Sequence, residues 1–508
     1  MRITYRPSAD NRSTATRLLS RVFLLMVMTI PIVQSACSVN PVSGRPELTL
    51  VSEEQENKLG AEEAKKVEAQ MGLLDNDPFS AYLTQLGKRL AEQSPRQSVA
   101  YQFHLVDMEE PNAFALPGGY VYVTRGLLAL TNSEDELAGV VGHEIGHVAA
   151  RHSVQSISKR GPFAAVFGIV SGVTGLVSPL VGNIVGGIGD LTQSLIFSPY
   201  SRSQENEADE VGQGIAAKAG WDPVALSTFL SNLEREVELY QGKPRRPSFF
   251  DSHPPTPERV RKTSVHATTL TRAPRAPISA TKDSYLARLD GLVIGQRAAN
   301  GILMDQQFLQ PDLNFLFELP DKWKVENTPQ MLIAAASDGE GALLLRTVAE
   351  GQDPLDGART LQKTTKSDIL SRTQRFQIGD LPAARTHLKA DSQTELDLTW
   401  IAHGGLIYQI AGLAPARRFE SMKPVLDSTV NSFRPLTATE RDNITEKRIR
   451  LVKAQTGETI EAVATRSRSA WKPEEIAVAN GLKASAPLVQ GQTLKIAVTE
   501  PYAPRPVR

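Results

Sequence analysis

The spacing of apolar and polar positions changes several times along this chain, and each change marks an element. Ser52 precedes an acidic first turn and forms a capping-box pair with Gln55, which predicts a helix opening there. A second helix is expected over Pro78–Glu92. Tyr101–Val106 alternates as a half-buried strand does, and a β-rich run follows over Tyr120–Thr124. Ser133 with Glu136 reads as another capping box, opening the helix that holds His143 and His147. Ser201 opens a further helix that should stop at Gly220.

Beyond residue 300 the pattern shifts to short alternating strands, such as Ala342–Thr347 and Leu406–Ile410, with Trp323 and Phe433 as expected core aromatics. Residues 266–283 are rich in Thr, Ala and Pro and read as the start of a linker; the charged residues 436–447 read as a second one. The chain therefore divides into units at 52–300, 310–435 and 448–497, with no internal repeat. Residues 161–189 hold no charged side chain, which by length alone makes them a membrane-span candidate.

Composition adds little. The 508 residues suit about three domains, and 41% hydrophobic with 22% charged residues is ordinary for a globular chain. Lys plus Arg equals Asp plus Glu, so the net charge is zero and nothing points to nucleic acid. The single cysteine, Cys37, excludes an internal disulfide. Its position says more. Arg17 and Arg21 flank a short apolar run over 22–30, small residues Ser35 and Ala36 follow, and Cys37 comes next. This is a secretory signal over 1–36, and the Cys at its end resembles a bacterial lipoprotein signal, with Cys37 as a lipidated N-terminus and 37–51 as a tether. Gln34 stands where a lipobox usually has Leu, so an ordinary cleaved signal is the other reading. Ser38 rather than Asp beside the cysteine favours the outer membrane.

The chemistry concentrates at His143-Glu144-Ile145-Gly146-His147. On a helix, i and i+4 share a face, so both imidazoles can grip one metal ion. Glu144 then stands beside the ion, as a general base toward water must. Gly139, Gly142 and Gly146 leave room for close packing. The alternative is a surface helix with incidental histidines. A catalytic metal needs a third ligand. His152 lies about 140° around the helix from His147 and reads as a supporting or structural His. Glu205 and Asp209, again i and i+4, fit better: Glu205 as ligand, Asp209 holding a ligand imidazole N–H. Glu207 points elsewhere. An acidic, solvated helix start is the competing reading of this cluster.

His143–His147 followed by Glu205-x-x-Ala208-Asp209 resembles the HtpX/BepA-like family of zinc metallopeptidases. Asn112–Gly119 and Asn40-Pro41-x-x-Gly44-Arg45 resemble family segments too, so the likeness spans about 38–265. It implies a gluzincin fold, one Zn²⁺ per chain, Glu205 as third ligand, and Asn112, Ala113, Phe114 and Ala115 as the strand edge that pairs with substrate backbone. Periplasmic members carry a similar His-Pro segment over the active site, which makes His253, in Ser252-His253-Pro254-Pro255, a candidate fourth ligand that holds the enzyme latent; a loop His fixed by prolines is the other reading. Because His147 and Glu205 must meet on one ion, residues 161–189 cannot cross a membrane once, and they are too short to cross it twice. They are either an apolar hairpin packed near the cleft or a segment dipped into a membrane surface.

Residues 448–497 resemble a LysM module, a βααβ fold that binds glycan, although Gln455 and Thr456 depart from the usual pattern. Residues 310–435 resemble PsbP-like α/β modules through Phe317-Glu318-Leu319-Pro320-x-x-Trp323 and Asn431-Ser432-Phe433-Arg434. The expected fold class is α+β: a mainly helical gluzincin-type peptidase domain with a small sheet, then a PsbP-like module and a LysM-like domain. The expectation for function is a periplasmic, outer-membrane-anchored zinc endopeptidase acting on misfolded or unassembled envelope proteins, with peptidoglycan contact through the last unit. Its rival is a non-catalytic zinc-containing envelope chaperone or cell-wall-binding scaffold; an intact Glu144 argues against that.

Overall fold

The computed structural model describes residues 37–49, 51–74, 78–159, 196–197, 199–240 and 248–504. The expected signal over 1–36 and the apolar segment 161–189 lie outside the described residues. The chain is a mixed α/β protein, and no described helix is long and apolar enough to cross a membrane.

A short hairpin comes first, β1 (Cys37–Val39) with β2 (Pro46–Leu48), then helices α1 (Glu53–Met71) and α2 (Pro78–Ala91). Ser52 and Gln55 close the expected capping box on α1. Helix α2 buries Phe79, Tyr82, Leu83, Leu86 and Leu90, a stripe at helical spacing. Three strands follow, β3 (Gln102–Val106), β4 (Ala113–Leu116) and β5 (Tyr120–Thr124), in the order β3-β5-β4. Strand β5 pairs parallel to β3 and antiparallel to β4, so β4 is an edge strand. Gly118 and Gly119, at φ 79° and 97°, make the turn between β4 and β5 that a side chain would resist.

Helices α3 (Arg125–Leu130) and α4 (Glu134–Ala149) come next, then α5 (His152–Lys159). Ser133 caps α4 by accepting from Glu136 N, but the reciprocal half of the expected box is absent. Glu136 Oε2 accepts instead from Asn132 N, one residue earlier. Helix α6 (Arg202–Ala219) has a complete Ser201–Gln204 box and ends on left-handed Gly220. It crosses α4 at small residues. A Cβ on Gly142 would stand 2.9 Å from Gly212 O, and one on Gly146 would stand 2.9 Å from Ala208 O. The backbones therefore touch, and the Glu205–Asp209 face of α6 is brought to the His143–His147 face of α4. Helices α7 (Ala225–Tyr240), α8 (Phe249–Ser252), α9 (Pro257–Ala267) and α10 (Lys282–Leu289) complete the layer. One core unites Leu86, Leu137, Val141, Ile145, Trp221 and Tyr285.

Residues 266–283 do not run free as the composition suggested. Ala273 N donates to Ala217 O, and Ile278 N and Ser279 N both donate to the buried Glu134 carboxylate. Strand β6 (Val293–Ile294) then leaves the helical layer for a sheet described below. Strands β7 (Ile302–Met304), β8 (Gln307–Gln310) and β9 (Phe315–Glu318) form a meander. It faces an antiparallel sheet of β10 (Lys324–Asn327), β11 (Leu332–Ala335), β12 (Ala342–Glu350), β13 (Gln374–Ile378), β14 (Leu381–Lys389), β15 (Thr394–His403) and β16 (Leu406–Pro415). Helix α11 (Leu355–Thr365) covers one face, against Leu398 and Trp400. Helix α12 (Ala416–Asn431) covers the other, against Ile401 and Ile410. Phe433 is buried and Trp323 is half-buried at its edge.

Residues 436–447 are also pinned: they form α13 (Ala438–Asp442), with Leu436 and Ile444 buried beside Leu309 and Leu316. The last elements run β17 (Thr445–Lys453), α14 (Ile460–Arg466), α15 (Pro473–Ala479), β18 (Thr493–Pro501), with β17 paired to both β18 and β6. This unit is fused to the helical layer. Lys495 is fully buried and donates to Ala129 O and Thr131 O, just ahead of the cap of α4.

Candidate metal centre

Helix α4 presents His143 and His147 one turn apart, with Nε2 atoms 3.0 Å from each other. Helix α6 brings Glu205, whose Oε1 lies 3.3 Å from His147 Nε2 and whose Oε2 lies 3.8 Å from His143 Nε2. His253 closes the group from the end of α8. Its Nδ1 lies 3.2 Å from His143 Nε2 and 2.9 Å from Glu205 Oε1. One donor atom from each of the four residues falls within 4.8 Å of every other, and all four residues are buried.

This arrangement fits a divalent ion. Donors about 2.0–2.1 Å from a tetrahedral ion stand about 3.3 Å apart. The His143 Nδ1 faces the Asp209 carboxylate at 2.9 Å, so that nitrogen carries the hydrogen and Nε2 offers a lone pair into the cluster. Three imidazole nitrogens and a carboxylate crowded onto one point, out of water, call for a cation among them. The His147 imidazole is held well below its ordinary pKa by burial, with the nearby His143 adding to the effect, whereas at His143 the Asp209 carboxylate outweighs burial and raises it.

Glu144 lies beside the group. It is 1% exposed, its Oε1 has no hydrogen-bond partner, and that oxygen lies 3.7 Å from His253 Nε2. Burial raises its carboxyl, against the pull of His253 and His143.

Two residues that the sequence reading missed complete the surroundings. Arg259, at the start of α9, donates Nε and Nη2 to the two Asp209 oxygens at 2.9 and 2.8 Å. Its Nη1 stands 2.6 Å from Glu205 Oε2 and 3.2 Å from Pro254 O. One guanidinium thus joins both α6 carboxylates to the loop that carries His253. Burial would raise the Glu205 and Asp209 carboxyls, but His253 and then Arg259 at Glu205, and Arg259 with His143 at Asp209, outweigh it and hold both low. The only hint in the sequence was electrostatic: two carboxylates on one buried face require a cation, and Arg259 ends the Ser252–Arg259 segment already singled out for its histidine. Tyr200 is the second. Its ring stacks on His147 at 4.0 Å and its hydroxyl pairs with Ser153 Oγ at 2.9 Å. Phe249 stacks on His253 at 4.4 Å, fixing that ring from the other side.

The remaining expected residues fall as follows. Asp209 stands against His143. His152 faces away from the donor cluster and pairs with the outer nitrogen of His147; Glu207 pairs with His152. Asn112 immediately precedes β4, with Ala113, Phe114 and Ala115 within the strand, which packs against α4. Among the described residues no strand pairs with the other edge of β4. The Asn112 side chain is fully buried, and neither atom of its amide has a hydrogen-bond partner.

Residues 79–266 match the description Peptidase family M48. Metalloprotease YcaL of Escherichia coli (strain K12) is 31% identical over 182 residues, which are 36% of this chain and 67% of that protein. The chain belongs to peptidase family M48, in agreement with the resemblance drawn from the motifs. The mitochondrial metalloendopeptidase OMA1 of Schizosaccharomyces pombe (strain 972 / ATCC 24843) is 29% identical over 229 residues, 44% of this chain and 64% of that protein. The beta-barrel assembly-enhancing protease of Escherichia coli (strain K12) is 26% identical over 291 residues, 56% of this chain and 58% of that protein. The chain thus spans less than two thirds of the length of these last two relatives.

Proposed function

We propose that this protein is a zinc metalloendopeptidase of the cell envelope, with His143, His147 and Glu205 as metal ligands and Glu144 as general base. The observation that carries this reading is Glu144 itself: a buried carboxylate with an unpartnered oxygen, beside a four-donor cluster, has no structural task to account for its cost. A zinc ion held there would polarise the scissile carbonyl and acidify the attacking water. Glu144 would take a proton from the attacking water and return it to the leaving amine. Asp209 fixes the His143 ring, and Arg259 keeps Glu205 ionised. The edge of β4 with which no described strand pairs, over Asn112, Ala113, Phe114 and Ala115, is the place where substrate backbone would add as a strand once the cover over this buried segment gives way.

One observation favours a second reading. A closed set of four protein donors is the habit of structural zinc sites, and His253 occupies the fourth position. A non-catalytic envelope chaperone or scaffold would need nothing more. We take His253 instead as a latch: it fills the place of the water and leaves when substrate enters.

The setting follows from the N-terminal pattern and the relatives. We place the protein in a bacterial periplasm, exported by the signal at 1–36 and held at the outer membrane by lipid on Cys37, beside a hairpin over 37–48 that takes the place of the expected tether. Units at 52–300, 310–435 (PsbP-like) and 448–497 (LysM-like) follow, the last a candidate peptidoglycan contact. One relative's name, beta-barrel assembly-enhancing protease, suggests misassembled outer-membrane and other envelope proteins as substrates. The test is cleavage of an unfolded envelope protein before and after chelation, then after adding back zinc. Activity lost and restored supports the endopeptidase; zinc bound without any cleavage supports the scaffold.

A further inference from the structure

The two histidines of α4 are supported in opposite ways. His143 is fixed from inside, by Asp209 and Arg259, both buried. His147 is fixed from outside, along a chain of side chains that runs through a partly exposed Glu207 to the N-terminal hairpin. Its Nδ1 lies 2.9 Å from His152 Nδ1, and His152 Nε2 lies 3.1 Å from Glu207 Oε2. Glu207 in turn receives Asn40 Nδ2, at 3.3 and 3.4 Å from its two oxygens. His152 is fully buried, whereas the Glu207 side chain is 23% exposed.

The hydrogens along this chain can be placed without choice once a metal is held. With His147 Nε2 committed to the ion, its hydrogen must sit on Nδ1. His152 Nδ1 must then accept, so the His152 hydrogen sits on Nε2 and points at the Glu207 carboxylate. Asn40 is oriented as firmly. Its Oδ1 accepts from Val42 N at 2.8 Å and Ser43 N at 3.1 Å, the turn that closes the β1–β2 hairpin, so its NH₂ faces Glu207. Asn40 is 2% exposed, although it belongs to the segment read from sequence as a loose tether.

We propose that Glu207, His152 and Asn40 are positioning residues for His147, and that the N-terminal hairpin is thereby a working part of the metal centre. Glu207 fixes the tautomer of His152, which fixes the ring and donor strength of His147; Asn40 keeps Glu207 turned inward. The metal is held from the core through one histidine and from the hairpin through the other, so lifting the hairpin loosens the ion without touching a ligand. This rests on the metal-binding reading above.

The test is zinc affinity of the full chain, by competition with a chromophoric chelator, for the wild type, Glu207→Gln, Asn40→Ala and Glu210→Gln. Glu210 is an exposed acid on the same helix and controls for the loss of one negative charge. Glu207→Gln is expected to weaken zinc by roughly 10–100-fold and Asn40→Ala by a smaller factor of about 3–10, with Glu210→Gln unchanged. Nitrogen-15 spectra of the zinc-loaded protein should show His152 as the Nε2–H tautomer in the wild type and a mixture in Glu207→Gln, a change that a merely structural glutamate would not produce. Equal affinities for Glu207→Gln and Glu210→Gln, or an unchanged His152 tautomer, would overturn the relay. A wild type that binds no zinc would overturn the metal reading instead. Should Glu207→Gln not fold, Asn40→Ala carries the same comparison.

Discussion

Gly212 of α6 lies directly against the backbone of His143 in α4: a Cβ added at Gly212 would stand 2.6 Å from His143 N and 2.8 Å from its Cα. Those are main-chain atoms inside a helix and cannot swing aside. The distance between the two helices, and so the reach of Glu205 to His143 and His147, is set by a missing methyl group. Gly212→Ala should therefore cost about 1–3 kcal/mol of stability and weaken metal binding. Gly214 lies on the same helix with nothing within 4 Å of its would-be Cβ, so Gly214→Ala should be neutral or slightly stabilising. Thermal melts and metal titrations on the pair check this; equal behaviour of the two variants would contradict it.

Arg259 is the counter-ion of two buried carboxylates. Arg259→Met keeps most of the stem and removes the charge, leaving Glu205 and Asp209 facing each other without a cation. The metal-free protein should lose on the order of 3–5 kcal/mol, and zinc should recover part of that. Denaturant titration with and without zinc measures both quantities. A loss below about 1 kcal/mol in the metal-free protein would show that the carboxylates are held some other way.

A pH dependence arises away from the centre. Burial, with Glu475 adding repulsion, pushes the Glu236 carboxyl from 4.5 up to about 7. A group whose folded pKa is raised favours the folded state while it is protonated. Its contribution is full below about 4.5 and is lost as pH rises through about 7. Glu236→Gln, permanently neutral, should match the wild type near pH 4.5 and exceed it at pH 8, by on the order of 1–3 kcal/mol. Melting temperatures of both proteins at the two values test the sign; a gap that shrinks with rising pH would contradict it.

The latch makes its own prediction. His253 is held by the stacked Phe249 ring, by Glu205 and by His143, and it comes from a loop outside α4. His253→Ala should keep zinc on three ligands and raise the initial rate on an unfolded substrate several-fold at matched metal content. An unchanged or lower rate would return His253 to loop architecture.

Most of the centre could be read in the sequence because it is written in local spacing. His143 with His147 and Glu205 with Asp209 are i,i+4 pairs, and the caps at Ser133 and Ser201 place the helices that carry them. What escaped depends on contacts between distant segments. Arg259 has no spacing relation to Glu205 and is known only once α9 folds over α6. The Glu136 carboxylate passed over the Ser133 N–H for that of Asn132, a choice set by the approach of the chain into α4. Residues 266–283 and 436–447 look like linkers by composition, yet Ile278, Ser279, Leu436 and Ile444 are tied down by partners that no local pattern shows. Likewise Val293–Ile294 is too short to announce itself as a strand and exists because β17 offers it an edge.

The central claim is that Glu144 is a base beside the metal and not a ligand to it. The measurement is Glu144→Gln, assayed for bound zinc and for the initial rate of cleavage of an unfolded envelope protein in the same preparation. The account predicts zinc content equal to the wild type with cleavage reduced by at least about 100-fold. Cleavage at the wild-type rate with zinc in place would contradict it.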